Sequence, residues 1–277
     1  MNFRIVDELD TTSEHYVVRL ELSCRAPCWA ASSMYHTEDG EPAKLMMINA
    51  AEPDARWSYR AGSISALILV IGYSVIIALY VRVGAPPSGV EARLGYLARN
   101  TTIWWAIIGL SVLTDLLFVP VALALYATLR SVNRNVMLLA TACVGLFIGL
   151  DLAITWTNYA ALVTLSSEYA KAASEAQRAV IVAAATYPSV VLESSLLFFY
   201  NSLLLSVGIL MTGAVMLNGI FGKSIAYLGV ATGILGVVSV VGPVFINALR
   251  GTIILTSALT TVWLLLVGFR LYRLARN

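Results

Sequence analysis

Charge is scarce in this chain. Only 12% of its 277 residues are Asp, Glu, Lys or Arg, about half the share usual in a soluble domain. Histidine is rarer still. His15 and His36 are the two there are, both in the first forty residues, which excludes a bis-His haem, an intramembrane His-zinc hydrolase and a Ser/His/Asp set among the apolar segments. The three lysines, Lys44, Lys171 and Lys223, all lie outside helix interiors, so no retinal Schiff base is expected. No glycine-rich phosphate loop with a following lysine occurs, which excludes a nucleotide motor. Cysteine numbers three and gives no disulfide framework. Cys24 and Cys28, with His15 and His36 nearby, could hold zinc, but C-x3-C is a weak spacing for it. Cys143 sits in an apolar run and reads as a small packing residue. No metal and no cofactor are assigned. A basic stretch followed by an apolar core is missing at the N-terminus, so no cleavable signal peptide is expected.

What the chain has is long uncharged runs. Hydrophobic residues make up 59% of it, and the runs place it among membrane proteins, with the bilayer as its surroundings. Its charges are divided. Residues 1–60 carry ten acids and six bases, whereas residues 61–277 carry six acids and twelve bases. That basic excess lies at helix ends, where it sets topology and meets anionic lipid. No basic cluster is interleaved with aromatics, so no nucleic-acid partner is expected.

The periodicity predicts an all-α integral membrane protein, a bundle of six transmembrane helices over about 61–81, 102–129, 136–165, 188–217, 224–247 and 252–269. The first, at about 1.5 Å per residue, matches the hydrocarbon thickness. An extra amphipathic helix is expected between the third and fourth, because Glu168, Lys171, Glu175 and Arg178 recur at spacings of three and four. Val90–Arg99 suits a short interfacial helix, Thr101 and Thr102 suit the N-cap of the second span, and Trp104 and Trp105 suit a membrane interface. Pro188 suits the first turn of the fourth helix, and Pro243 should kink the end of the fifth. Residues 1–56 read as a cytoplasmic tail, disordered in part, with a short strand conceivable at Val17–Leu22. Met46 and Met47 also suit a translation start, which would make the tail an artefact. Small residues form two stripes. Ala142, Gly145, Gly149 and Ala153 line the third helix, and Gly222, Ala226, Gly229, Gly233, Gly236 and Ser239 line the fifth, so both are expected to seat neighbouring helices closely. A homo-oligomer is compatible with the sequence. Six spans put both termini on one side, and the bias of Arg and Lys favours the cytoplasmic side of an inner cell membrane.

Two carboxylates stand inside this apolar material. Asp115 is about four turns from both Arg99 and Arg130, too deep to reach water by snorkelling. A charge there costs roughly 2.5–3.5 kcal/mol on insertion scales, so it must face the bundle or a cavity. Ser111 lies one turn before it. Asp151 sits at similar depth in the next helix, followed by Thr155 and Asn158. The tight turn Leu129-Arg130-Ser131-Val132-Asn133-Arg134-Asn135 would make the two helices antiparallel neighbours and bring these polar faces together. Glu193, with Asn201 inward of it, is a further candidate, although an acid in the first turns of a helix also suits the helix dipole. The candidate polar cavity is therefore Asp115, Asp151, Glu193, Ser111, Thr155, Asn158 and Asn201. Thr252, Thr256 and Thr260 form a hydroxyl stripe better read as packing.

Arg60-Ala61-Gly62, Asp115, and Ala122-Leu123-Ala124-Leu125-Tyr126-x-x-Leu129-Arg130-x-Val132-Asn133-Arg134 together resemble the prokaryotic membrane family catalogued as domain of unknown function 4386. The resemblance covers roughly residues 57–275, with Ser131 where the family usually has Pro. It implies a multi-pass inner-membrane protein and supplies no activity, cofactor or site. Three functional readings follow. The first is a small-molecule or ion/proton-coupled transporter-like protein using the buried carboxylates, for an unassigned ligand. The second is a non-catalytic scaffold or sensor subunit, in which the carboxyls only hold helices in register. The third, a membrane-embedded enzyme, has the least support.

Overall fold

A computed structural model describes residues 5–6, 19–20, 53–246, 249 and 251–276. Residues 1–49 and 50–277 form separate units. Within the first, the described residues are one antiparallel pair, β1 (Ile5–Val6) and β2 (Arg19–Leu20), with Ile5 opposite Leu20. The tail expected over residues 1–56, and the Cys24, Cys28, His15 and His36 group, otherwise lie outside the described residues up to α1.

Among the described residues, the elements of the second unit are all helices: α1 (Pro53–Val83), α2 (Val90–Arg99), α3 (Thr101–Leu150), a π segment (Asp151–Trp156), α4 (Thr157–Lys171), α5 (Glu175–Glu193), α6 (Ser195–Met216), α7 (Lys223–Phe245) and α8 (Thr252–Arg276). Six segments are long and apolar enough to cross a membrane. One of them, residues 101–171, folds back on itself. Asn133 has extended backbone angles (φ −154°, ψ 97°) inside α3, and its Oδ1 accepts the Val136 N–H at 3.1 Å. It thus ends the first limb and caps the second. Phe118 and Phe147, on opposite limbs, meet edge to face at 5.9 Å, as a hairpin about Asn133 requires.

The helices have unequal lengths. The run from residue 134 to 171 rises about 57 Å and α7 only about 35 Å at 1.5 Å per residue. The hydrocarbon layer takes about 30 Å, so the long run stands well clear of the short one. Packing follows this division. At the end marked by Asn133, here the turn end, α1, both limbs of α3, α6, α7 and α8 share a core containing Leu69, Phe118, Leu129, Met137, Met216, Trp263 and Leu271. At the opposite end, the cap end, α2, α4 and α5 close around a second core of Leu94, Leu97, Trp104, Ile107, Leu162, Val163 and Ala185.

Several expectations are corrected. The fourth apolar stretch is two helices. Ser194 is extended (φ −63°, ψ 122°), and its Oγ accepts the Leu196 N–H and caps α6. Pro188 falls inside α5, buried. Its missing N–H costs one helix bond, which packing of that face against its neighbours tolerates. The four charges expected on one amphipathic face belong to two helices, because the chain breaks at 172–174. Ser174 Oγ accepts the Gln177 N–H, and Gln177 Oε1 accepts the Ala173 N–H, a close variant of the capping box. Glu168 and Lys171 therefore end α4, while Glu175 and Arg178 start α5. Asn100, not Thr101 or Thr102, stands before α3, and Thr101 Oγ1 donates back to the Leu97 and Ala98 carbonyls. Trp104 is completely buried, stacked on Tyr159 at 5.2 Å and edge-on to Tyr80 and Tyr96. It is a core residue of the cap, and only Trp105 is exposed.

The two glycine stripes behave differently. Along α7, a Cβ on Gly233 would come within 2.6 Å of the Leu210 backbone, one on Gly229 within 2.7 Å of Trp263, and one on Gly236 within 2.3 Å of Ser206. That helix lies on α6 at backbone distance and against the Trp263 and Thr256 side chains of α8. Gly145 and Gly149 instead meet nothing within 4 Å, and Ala142 and Ala153 beside them are exposed. The second limb packs through the other side, Met137, Ala140, Cys143, Phe147 and Ile148. Its close approach to α6 is supplied by Gly208, whose Cβ would meet Val144 at 2.9 Å.

Candidate functional site

The first limb of α3 buries Ile107, Ile108, Ser111, Thr114, Asp115, Phe118, Val121, Leu125 and Leu129. These recur every three or four residues, one helical face. Leu113, Leu116, Val119 and Leu123 face outward, as a lipid-facing side should. Asp115 is thereby only 2% exposed, and Asp151 from the second limb is 7% exposed. The Phe118–Phe147 contact lies one turn toward the turn end. The hairpin therefore brings the two carboxyls within electrostatic range of each other.

Each carboxyl has one further donor. Trp156 Nε1 donates to Asp115 Oδ2 at 2.8 Å, and Asn201 Nδ2 of α6 donates to Asp151 Oδ1 at 2.6 Å. The π segment makes the first bond available. In an α-helix, residue i+5 points well away from residue i. The wider i→i+5 turn returns it to nearly the same side, so Asp151 and Trp156 can both address Asp115. Thr157 Oγ1 donates to the Leu152 carbonyl at 2.9 Å, the same five-residue step. Tyr73 of α1 lies within electrostatic range of both carboxyls.

The remaining candidates divide. Ser111 is buried one turn from Asp115, and its carbonyl accepts the Thr114 hydroxyl at 2.8 Å. Thr155 Oγ1 and Asn201 Oδ1 are buried without a hydrogen-bond partner. Asn158 turns back to its own helix, donating to the Ile154 carbonyl at 2.6 Å. Glu193 is not brought to the pair. It ends α5 with its carboxylate 55% exposed and ion-paired to Arg93 of α2, whose side chain is 11% exposed. The hydroxyl stripe of α8 is likewise elsewhere, with Thr252 and Thr256 bonded to Ser239 of α7. Trp156, Tyr73 and Arg93 were not singled out from sequence. Trp156 could have been, since it interrupts a polar run, Thr155, Thr157 and Asn158, in mid-helix.

A cleft of about 660 Å³ lies beside the Ser194 break, lined by Glu193, Ser194, Ser195, Phe199, Ser239 and Pro243 among others. This cleft is not lined by Asp115 or Asp151. Both carboxyls are buried where the two limbs meet. No group of three His, Cys, Asp or Glu side chains assembles among the described residues.

No curated protein and no solved structure matches the chain. A family model described as Domain of unknown function (DUF4386) matches residues 41–271, a span that includes the hairpin, both carboxyls, Trp156 and Asn201. The chain is therefore a multi-pass helical membrane protein that belongs to this family of unknown function.

Proposed function

We propose that the chain is a proton- or ion-coupled, transporter-like protein whose working part is the Asp115–Asp151 pair. The observation that carries this reading is the meeting of two carboxyls from two limbs with an amide from a third element, Asn201. Two acids in a bilayer interior are costly, and apolar residues of similar volume often serve stability better than a buried charged pair. Asn201, bonded to Asp151, also keeps its Oδ1 unsatisfied, which a purely structural network has reason to avoid. A π segment at the same place fits, since such turns gather at functional sites. In this reading the structure is an occluded state that holds a proton between the carboxyls.

The deep burial of both carboxyls favours a second reading, a scaffold or sensor subunit in which the carboxyls fix helix register. Infrared difference spectroscopy across a pH titration separates the two. A working site should show a carboxylic-acid band that titrates in the reconstituted protein and disappears in Asp115→Asn and in Asp151→Asn, with both variants still monodisperse. A band that never titrates, with variants that fail to fold, would leave the scaffold.

We also assign the protein to an inner cell membrane with both termini cytoplasmic. Arg130, Arg134, Lys223, Arg270, Arg273 and Arg276 all fall at the turn end, consistent with the positive-inside rule.

A further inference from the structure

At the turn end, α1 and α8 meet closely. Ser63 Oγ donates to the Gly268 carbonyl at 2.9 Å, and a Cβ on Gly62 would already touch Ala124 at 2.3 Å and Leu271 at 3.4 Å. Just outward of this contact lies a pocket of about 450 Å³ lined by Arg60, Ile64, Tyr272, Ala275 and Arg276. It holds a guanidinium from each helix and no acid. Arg276 lies over the Tyr272 ring at 6.0 Å. Among the described residues neither arginine has an ion-pair partner. Arg56 and Arg273 lie within a turn of them along the same helices, and both are exposed.

The walls are as informative as the charge. Ile64 is 56% exposed and Tyr272 47%, so an apolar surface runs from the arginines toward the membrane interior, continued by exposed Ile68 on α1. A ligand matching this site carries a compact anion with an apolar chain attached. Planar guanidinium forks suit phosphate oxygens bidentately, tyrosine suits the headgroup level, and basic pockets between membrane helices suit anionic headgroups. Arg130 and Arg134 are also exposed at this end, but they do not line this pocket.

We propose that the pocket between α1 and α8 is a binding site for an anionic phospholipid, its phosphate held by Arg60 and Arg276 and its acyl chain lying along Ile64 and Ile68. Ser63 and Gly268 matter here because their contact holds α1 against α8 and makes two arginines one site.

The test uses the full chain in detergent, offered equimolar phosphatidylglycerol and phosphatidylcholine, with retained lipid measured by native mass spectrometry. Wild type should prefer phosphatidylglycerol, and Arg60→Gln with Arg276→Gln should reduce that preference by on the order of tenfold. Arg130→Gln with Arg134→Gln should leave it unchanged. Arg276→Gln alone, in the exposed last turn of α8, should lose part of it and covers the case in which the double variant does not fold. Equal retention of both lipids by wild type overturns the site. So does an equal loss in the Arg130/Arg134 control, which would mark diffuse surface charge. Displacement of the lipid by millimolar inorganic phosphate would mark a site for the free anion and also overturns it.

Discussion

The two cores of the helical unit are built on different principles. At the turn end the helices touch through what is missing: Gly62 against Ala124, Gly208 against Val144, and Gly229, Gly233 and Gly236 against α6 and α8. At the cap end they touch through bulk, with Trp104 enclosed by Tyr80, Tyr96 and Tyr159. Helices in lipid gain by packing backbones closely, whereas large aromatic rings gain from burying their surface and from stacked and edge-to-face contacts. The Asp115–Asp151 pair lies at the seam. Ser111 and Ile108 continue from Asp115 into the cap core, and Phe118 continues into the bundle core.

Trp104→Ala tests whether the cap is a core of its own. Removing a fully enclosed Trp costs about 3–5 kcal/mol. Hydrogen exchange should therefore rise across α2 and α5 while α7 and α8 stay protected. Equal deprotection everywhere would merge the two cores into one cooperative unit. Gly233→Leu strikes the other side. Its Cβ would lie 2.6 Å from Leu210 backbone atoms, which cannot swing away, so a loss of about 1–3 kcal/mol is expected. It should be read as a lower melting temperature with the cap's exchange pattern kept.

How far the sequence leads depends on which physics is local. The apolar runs, the turn at Asn133 and the depth of the two aspartates are legible because each follows from composition and helical spacing. The α7 stripe is legible too, but the stripe at Gly145 and Gly149 is not. Both look alike as sequence, and only the placement of α6 against Ala140 and Val144 decides which side is buried. The aromatic core of the cap is harder to read. Trp104 next to Trp105 suggests an interface, and nothing local says that one ring is enclosed and the other exposed. The break at Ser174 was available as Ser-x-x-Gln, and the spacing of the charges masked it. The π segment has no sequence signature, so the Trp156–Asp115 bond could only come from the fold.

Smaller effects sharpen the seam between the cores. Asp115→Ala leaves the Trp156 N–H buried without an acceptor, a cost of about 1–3 kcal/mol. Asp115→Asn keeps an acceptor there and should cost less. A thermal-shift comparison in which the two substitutions are equal would show that Trp156 finds another partner. Glu193→Gln loosens α2 from the end of α5. Its carboxylate is largely exposed, so at most about 1 kcal/mol is expected, shrinking further with added salt.

The smallest effect is the most pointed test of the glycine contrast. At Gly145 nothing lies within 4 Å of an added Cβ, and the residue sits in regular helix. Gly145→Ala should therefore be neutral or should stabilise by about 0.5–1 kcal/mol, the helical penalty of glycine relative to alanine. The same change at Gly233 meets the Leu210 backbone and should destabilise. Melting temperatures of the two variants in one detergent give the comparison, and opposite signs are expected. If Gly145→Ala destabilises as Gly233→Ala does, something covers that open stripe in the folded protein. Repeating the measurement over a range of protein concentrations would then distinguish a second copy of the chain, whose effect fades on dilution, from a contact within one chain, whose effect does not.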